Sequence, residues 1–220
     1  MRPWVTLDTA RTPEGVDLTL VERGPEIVIR AGGKDLMSNR MHGSEEAMAA
    51  FARSSRQGAR VLVGGLGMGF TLRAALDTLP PGGRVTVVEL SEAVVAWNRD
   101  RLAALAGRPL EDPRAELVLG DVADVLASTP ESWDTILLDV DNGPDGFTQP
   151  GNDRLYGVPG LNRTRMALRR PGTLAVWSAY EDPEFERRMR KAGFRVRVER
   201  VRARLSAGGP RHVIFLGAWG

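Results

Sequence analysis

One glycine-rich turn and four acids are spaced so that strand ends would bring them together. The turn is Gly64-Gly65-Leu66-Gly67-Met68-Gly69, between the apolar run 60–63 and a helical pattern over 70–79. Such a turn bends sharply and approaches a ligand closely, with a helix N-terminus behind it. Glu89 stands twenty residues beyond Gly69, at the end of the next apolar run. A carboxylate there can accept from both hydroxyls of a ribose. Asp121 follows a third run, 115–119, and is placed to accept an adenine amino hydrogen. Asp139 ends a fourth, 135–138, facing the reacting part of an extended nucleoside, with Asp141 two residues on. Each has a plainer reading. Glycines serve tight turns, Asp121 can cap the helix opening at Val122, Asp139 can cap the next loop, and Asp141 suits a turn in Asp141-Asn142-Gly143-Pro144. Their arrival at successive strand ends favours an adenosine site, with NAD as a rival ligand.

A second set bears on a substrate. Tyr156, Trp177 and Tyr180 are candidates to line a pocket and meet a cation through their ring faces, although single aromatics near strand ends also pack in cores. Glu45 and Glu46 open a helix, where the dipole favours acids regardless of function; they would also complete an acidic mouth for a cationic substrate. The loop from Asn142 to Asp153, with Phe147 among Gly and Pro, reads as a lid or as a surface loop. His42 and His212 are too few and too far apart for a metal site, so no metal is expected. The arginines of 187–204 suit a solvated helix face and an edge strand, so nucleic acid is not expected as a partner.

The elements that must position these groups follow from hydrophobic period. Three short strands at 5–7, 17–21 and 26–30 alternate at period two between turn residues, forming a small antiparallel unit over residues 1–43. A helix over 44–53, with Ser44 as N-cap, opens a second unit, residues 44–220. Strand and helix then alternate: 60–63, 70–79, 84–88, a long helix over 91–106, 115–119, a short helix to 126, and 135–138. A helix, a strand at 173–177, a helix at 183–192 and strands at 194–201 and 212–218 finish the chain. Repeated βα units with apolar strands predict an α/β, Rossmann-like open sheet, mostly parallel, with an antiparallel C-terminal strand.

Composition bounds the rest. With 220 residues and no cysteine, disulfide scaffolds, thiolate zinc sites and cysteine nucleophiles are excluded. Net charge is +2, and 28 of the 30 basic residues are Arg, so there is little general pull on nucleic acid. The start carries no apolar leader and no run approaches a membrane span. These features predict a cytoplasmic protein with no membrane partner.

From about residue 17 to 200 the chain resembles the spermidine synthase-like aminopropyltransferases, within the Rossmann-like S-adenosylmethionine-dependent transferases. Gly64 to Gly69 stands where that family has its cofactor loop, and Val87-Val88-Glu89-Leu90 where it has its ribose-binding acid. Gly120-Asp121-Val122 is similar to its adenine-binding segment, and 133–141 to the strand ending in its catalytic aspartate. Residues 33–38 look like its N-terminal hairpin region. The resemblance implies cofactor contacts at Gly64, Gly65, Leu66, Gly67, Gly69, Glu89, Leu90, Asp121, Val122 and Asp139. It also implies catalysis by Asp139 with Asp141, and a homodimer. The departures are specific: no acid stands in the loop near Gly67, the aspartate-rich segment is shortened, and Gly43-Ser44-Glu45-Glu46 replaces the family's Tyr-His-Glu. The activity expected is aminopropyl transfer from decarboxylated S-adenosylmethionine to a small amine. Methyl transfer from S-adenosylmethionine is the alternative, and a non-catalytic nucleoside-binding protein is a third reading.

Overall fold

A computed structural model describes residues 2–12, 15–51, 53–140, 153–204 and 209–220. The N-terminal alternation folds into an antiparallel sheet ordered β1 (Val5–Arg11), β2 (Asp17–Arg23), β3 (Glu26–Ala31) and β4 (Lys34–Ser38). Leu18 and Leu20 of β2 face Ala31 and Ile29 of β3, and all four are buried. The fourth strand goes beyond the three expected. Gly32 and Gly33, at φ +55° and +78°, form a two-residue turn with Ala31 paired to Lys34. Positive φ at both central residues is what a hairpin of this length requires. Lys34-Asp35-Leu36-Met37-Ser38 has no β-branched residue, so alternation gave it no signal.

The remaining elements are α1 (Gly43–Phe51), β5 (Arg60–Gly64), α2 (Phe70–Thr78), β6 (Arg84–Glu89), α3 (Glu92–Arg99), β7 (Ala115–Leu119) and α4 (Val122–Ser128). After them come β8 (Trp133–Leu138), α5 (Asp153–Tyr156), α6 (Val158–Ala167), β9 (Leu168–Ser178), α7 (Pro183–Lys191), β10 (Arg195–Arg202) and β11 (Arg211–Trp219). Seven strands form one sheet in the order β10-β11-β9-β8-β5-β6-β7. β11 runs antiparallel to both neighbours, and the other pairings are parallel. β8, flanked on both sides, has all six residues buried, as a strand covered on both faces should. The chain leaves β5 for β6 on one side while β8 pairs on the other. Between β5 and β8 lies the switch point where open sheets form their crevice.

Three boundaries differ from expectation. The helix expected over 91–106 stops at Arg99: Asp100 leaves helical dihedrals, and the Leu102 N–H reaches Trp97 O. Leu102, Ala103 and Ala106 stay buried in the turns that follow. A helix would bury the same positions, so periodicity did not separate the two. Ser44 lies inside α1 rather than capping it, and is fully buried. β9 begins at Leu168, not at 173. Its register against β8 jumps from Trp133↔Leu168 to Thr135↔Thr173, so Pro171-Gly172 sits in an irregularity instead of a turn.

Two apolar clusters cover the sheet faces. One joins Leu20 and Ile29 to Met48, Val63, Leu72, Val87 and Trp97, so the core is continuous from the N-terminal sheet into the larger one. Trp97 Nε1 also donates to Asp8 Oδ2 at 2.7 Å. A second cluster fills the opposite face around Leu62, Ile136, Leu161 and Phe215. Among the described residues no helix is long and apolar enough to cross a membrane.

Candidate active site

At the end of β5 the backbone is stitched to both neighbours: Gly65 N donates to Val88 O at 2.9 Å, and Asp139 N to Gly64 O at 2.8 Å. Gly65 has φ +91°, and a Cβ on it would lie 2.2 Å from Asp139 O. Glycine is therefore needed here for conformation and for space, because β8 ends directly against the loop. Glu89 completes the stitching. Its Oε2 accepts from Leu66 N at 2.9 Å and its Oε1 from Ser91 N at 2.8 Å. Burial raises the Glu89 carboxyl pKa, against the amides of Ser91, Leu66, Leu90 and Gly67 that favour its charge. Asn98 adds a bond from Nδ2 to Gly67 O at 2.7 Å, and Gly69 O accepts from Arg73 N as α2 begins.

In front of this loop lies a cleft of about 190 Å³. Met37 of β4, Leu66, Phe70, Trp177 and Ala179 supply apolar wall; Glu45, Thr71, Asp139 and His212 supply polar groups, with Asp35 and Ser38 of β4 beside them. Thr71 Oγ1 donates to Asp139 Oδ2 at 2.5 Å. Burial pushes the Asp139 carboxyl up to about 6 despite that bond. Glu45 is pushed up to about 8, first by burial and then by the negative charge of Asp139. Both carboxyls are thus held above the ordinary carboxylate range, chiefly by burial, and the charge of Asp139 adds to the rise at Glu45.

The cleft brings together Glu45, Leu66, Gly67, Asp139 and Trp177 of the residues singled out from sequence. Gly64, Gly65, Glu89 and Leu90 do not line it; Gly64 and Glu89 reach lining residues through their bonds to Asp139 N and Leu66 N. Val122 is buried and presses on Gly64, where a Cβ would meet Val122 Cγ2 at 2.9 Å. Asp121 caps α4, accepting from Ala123 N at 2.8 Å, and pairs with Arg154 at 3.1 Å. Glu46 pairs with His42 at 2.9 Å instead of lining the cleft. Tyr156 is 1% exposed on the opposite face of the sheet, edge-on to Phe185, and Tyr180 is 67% exposed; neither lines the cleft. Asp141 and the loop residues 142–152 lie outside the described residues. Among the described residues no cluster of three or more ligating side chains could hold a metal ion. Arg188, Arg190, Arg197 and Arg200 each have a carboxylate partner.

Sequence reasoning missed Thr71, Met37, Ser44 and His212. Thr71 left a trace, as a polar residue among Phe70, Leu72 and the apolar positions of α2. Met37 could be placed only once β4 was known. Ser44 and His212 meet across 168 residues, a pairing no local pattern encodes.

Known proteins share this architecture. The chain superimposes on a spermidine synthase from Thermotoga maritima with TM-score 0.77 and 19% identity, covering 98% of this chain and 73% of that one. A structure of spermidine synthase in complex with the transition state analogue AdoDATO gives TM-score 0.75 at 19% identity, covering 98% and 72%. At such identities the likeness shows the fold. A polyamine aminopropyltransferase of Korarchaeum cryptofilum is 36% identical over 119 residues, which is 54% of this chain and 35% of that relative. The match thus spans about a third of the relative's length. The spermine/spermidine synthase domain model matches residues 41–191, from the turn before α1 to the end of α7. That stretch holds the glycine loop, Glu45, Asp139 and Trp177, and by this match over most of its length the chain belongs to the spermine/spermidine synthase family.

Proposed function

We propose that the chain transfers an aminopropyl group from decarboxylated S-adenosylmethionine to a small amine. The observation that carries this reading is the half-buried pair Glu45 and Asp139, both lining a cleft walled by Phe70 and Trp177. A primary amine, with pKa near about 10, arrives mostly as an ammonium. A pair of carboxyls holding roughly one proton between them attracts that ammonium and then takes its proton. The freed nitrogen attacks the methylene carbon next to the sulfonium. The new C–N bond forms as the C–S bond breaks, the electron pair passes to sulfur, and the product leaves as a secondary ammonium, the one proton given up being the one taken before attack. Since the sulfonium leaves as a neutral thioether, the protein's work is positioning and proton removal. Thr71 fixes the Asp139 carboxylate for that task.

The donor is a substrate, and the residues present suit it. Aromatic faces at Phe70 and Trp177 favour a sulfonium cation. Asp121 spends two bonds on Ala123 and Arg154, and a carboxylate accepts at about four positions, which leaves room for an adenine amino hydrogen. Glu89 would hold the sugar side through the loop it anchors. Support also comes from the aminopropyltransferase name of the Korarchaeum relative. In this reading residues 1–43 act as a unit that walls the cleft, and residues 44–220 carry the nucleoside and the chemistry, in the cytoplasm.

One observation favours methyl transfer from intact S-adenosylmethionine. No acid stands in the loop to meet the donor's amine, and Met37 packs where a side chain on Gly67 would lie, with its sulfur 2.9 Å from that Cβ position. Calorimetric titration with both donors, methylthioadenosine and adenosylhomocysteine separates the readings. Aminopropyl transfer predicts tighter binding of the decarboxylated pair. A tenfold preference for the carboxylate-bearing pair, about 1.4 kcal/mol, would overturn it.

A further inference from the structure

The buried hydroxyl of Ser44 is the hub of a network that the reaction above does not yet use. Its Oγ lies 2.6 Å from Glu45 Oε2, 2.9 Å from His212 Nδ1 and 3.0 Å from Trp177 Nε1. A hydroxyl has one hydrogen and two acceptor positions. The indole N–H can only donate, so it occupies one acceptor position. One donated and one accepted bond then remain for Glu45 and His212 together. If Ser44 donates to an ionised Glu45, His212 must donate from Nδ1. If instead Glu45 is protonated and donates to Ser44, the hydroxyl points at a bare Nδ1. The proton count allows both arrangements and keeps all three bonds in each.

We propose that Ser44 and His212 form a proton relay that drains the proton taken from the acceptor amine by the Glu45–Asp139 pair. The proposal rests on the function given above and names how that same site is reset. The Glu45 proton moves to Ser44 Oγ while the Ser44 proton moves to His212 Nδ1, so one net proton leaves Glu45 and the imidazole becomes a cation. Its Nε2–H then passes to water, leaving the Nδ1–H tautomer that suits an ionised Glu45, and tautomer exchange of the neutral ring through water bares Nδ1 again for the next turnover. His212 is half-buried, lines the cleft and makes no described hydrogen bond through Nε2. It is also held edge-on to Trp177 at 4.7 Å between ring centres, which fixes the ring toward Ser44. Burial lowers its pKa, so the proton passes uphill from Glu45 to a short-lived imidazolium, which gives it up readily. Ser44 is no nucleophile here: it is fully buried and all its bonding capacity is used.

Few other charges intrude on this path. Beside Glu45 and Asp139, Glu46 on α1 is bonded to His42, and Asp35 on β4 to Arg30. On β10, which pairs with His212 through Val201, Glu199 is bonded to Arg197 and Arg200 to Glu181, and Arg202 flanks Val201.

With only two histidines in the chain, the relay can be read directly. In ¹⁵N-labelled full-length protein, with His42→Gln identifying the other ring, Nδ1 of His212 should lose its proton as Glu45 gains one, both at a shared midpoint. Ser44→Ala should separate the two midpoints by about one pH unit or more, and Ser44→Thr, which keeps the hydroxyl, should restore them. An identical His212 titration in wild type and Ser44→Ala would overturn the relay. With decarboxylated S-adenosylmethionine and putrescine as probes, His212→Gln should lower kcat by about tenfold or more, within the range for assisted proton transfer. KM for the amine should change less than about twofold; a loss carried by KM alone would equally overturn the relay. If wild type turns over neither donor, the functional reading fails, while the ring titration still decides the relay.

Discussion

The two walls of the cleft are built in different ways. The glycine-loop wall is held by backbone: Gly64, Gly65, Leu66 and Ser91 bond to neighbouring strand ends and to one carboxylate, Glu89. All of these lie within the consecutive stretch from β5 to the N-cap of α3, except where Asp139 closes on Gly64. The acid wall is held by side chains from α1, α2, β8, β9 and β11, through bonds such as Thr71 to Asp139 and Trp177 to Ser44. Backbone-to-backbone bonds hold a shape whatever the protonation state, leaving Glu89 as the titratable group in that wall, whereas side-chain bonds among Glu45, Ser44 and His212 all depend on where each proton sits. A rigid wall suits binding a nucleoside; a proton-sensitive wall suits taking a proton from an amine.

That contrast can be broken from either side. The largest effect belongs to Asp139→Asn, which removes the base but keeps the shape. Turnover should fall by about 10²–10⁴-fold while donor affinity, read by calorimetry, stays within about threefold. Gly65→Val attacks the rigid wall, forcing a β-branched residue to positive φ against Asp139 O. Strain of about 1–3 kcal/mol before the steric clash should lower Tm by several degrees and weaken donor and acceptor binding together. Glu89→Ala leaves the Leu66 and Ser91 amides without their acceptor, at about 1–3 kcal/mol. Donor binding should weaken by about tenfold or more, with kcat at saturating donor less affected. Tyr180→Ala should change neither wall, and kcat and KM are expected within about twofold of wild type.

The legibility of the two walls follows the same division. Gly64 to Gly69, Glu89 and Asp139 stood out because strand period and turn residues are local signals, and each ends its own strand. The sheet could be read for the same reason, down to the antiparallel β11. Tyr156 and Tyr180 were drawn in as aromatics near strand ends, but residue type does not tell which face a ring takes. Asp121 displays its capping role in the structure, a role the same local pattern already allowed. Thr71, Ser44 and His212 were invisible because their significance lies in contacts across 68, 133 and 168 residues. β4 escaped for want of β-branched residues, though it supplies Met37 to the cleft.

The central claim is that Glu45 and Asp139 act as one proton-sharing pair. Their folded pKa values lie above the ordinary 4.5 and 3.8, at about 8 and about 6. Between about pH 4 and 8 these two carboxyls therefore bind more protons in the folded than in the unfolded chain. The pair's contribution to stability should fall as pH rises through that window and level off above it. Carbon-13 titration of the side-chain carboxyls in the intact protein tests this most directly. The account predicts that, besides Glu89, two carboxyls titrate well above the surface carboxylates, one of them assigned by its loss in Glu45→Gln and the other by its loss in Asp139→Asn. If both titrate with the ordinary surface carboxylates, the pair does not exist as described and the acid wall cannot take the amine's proton.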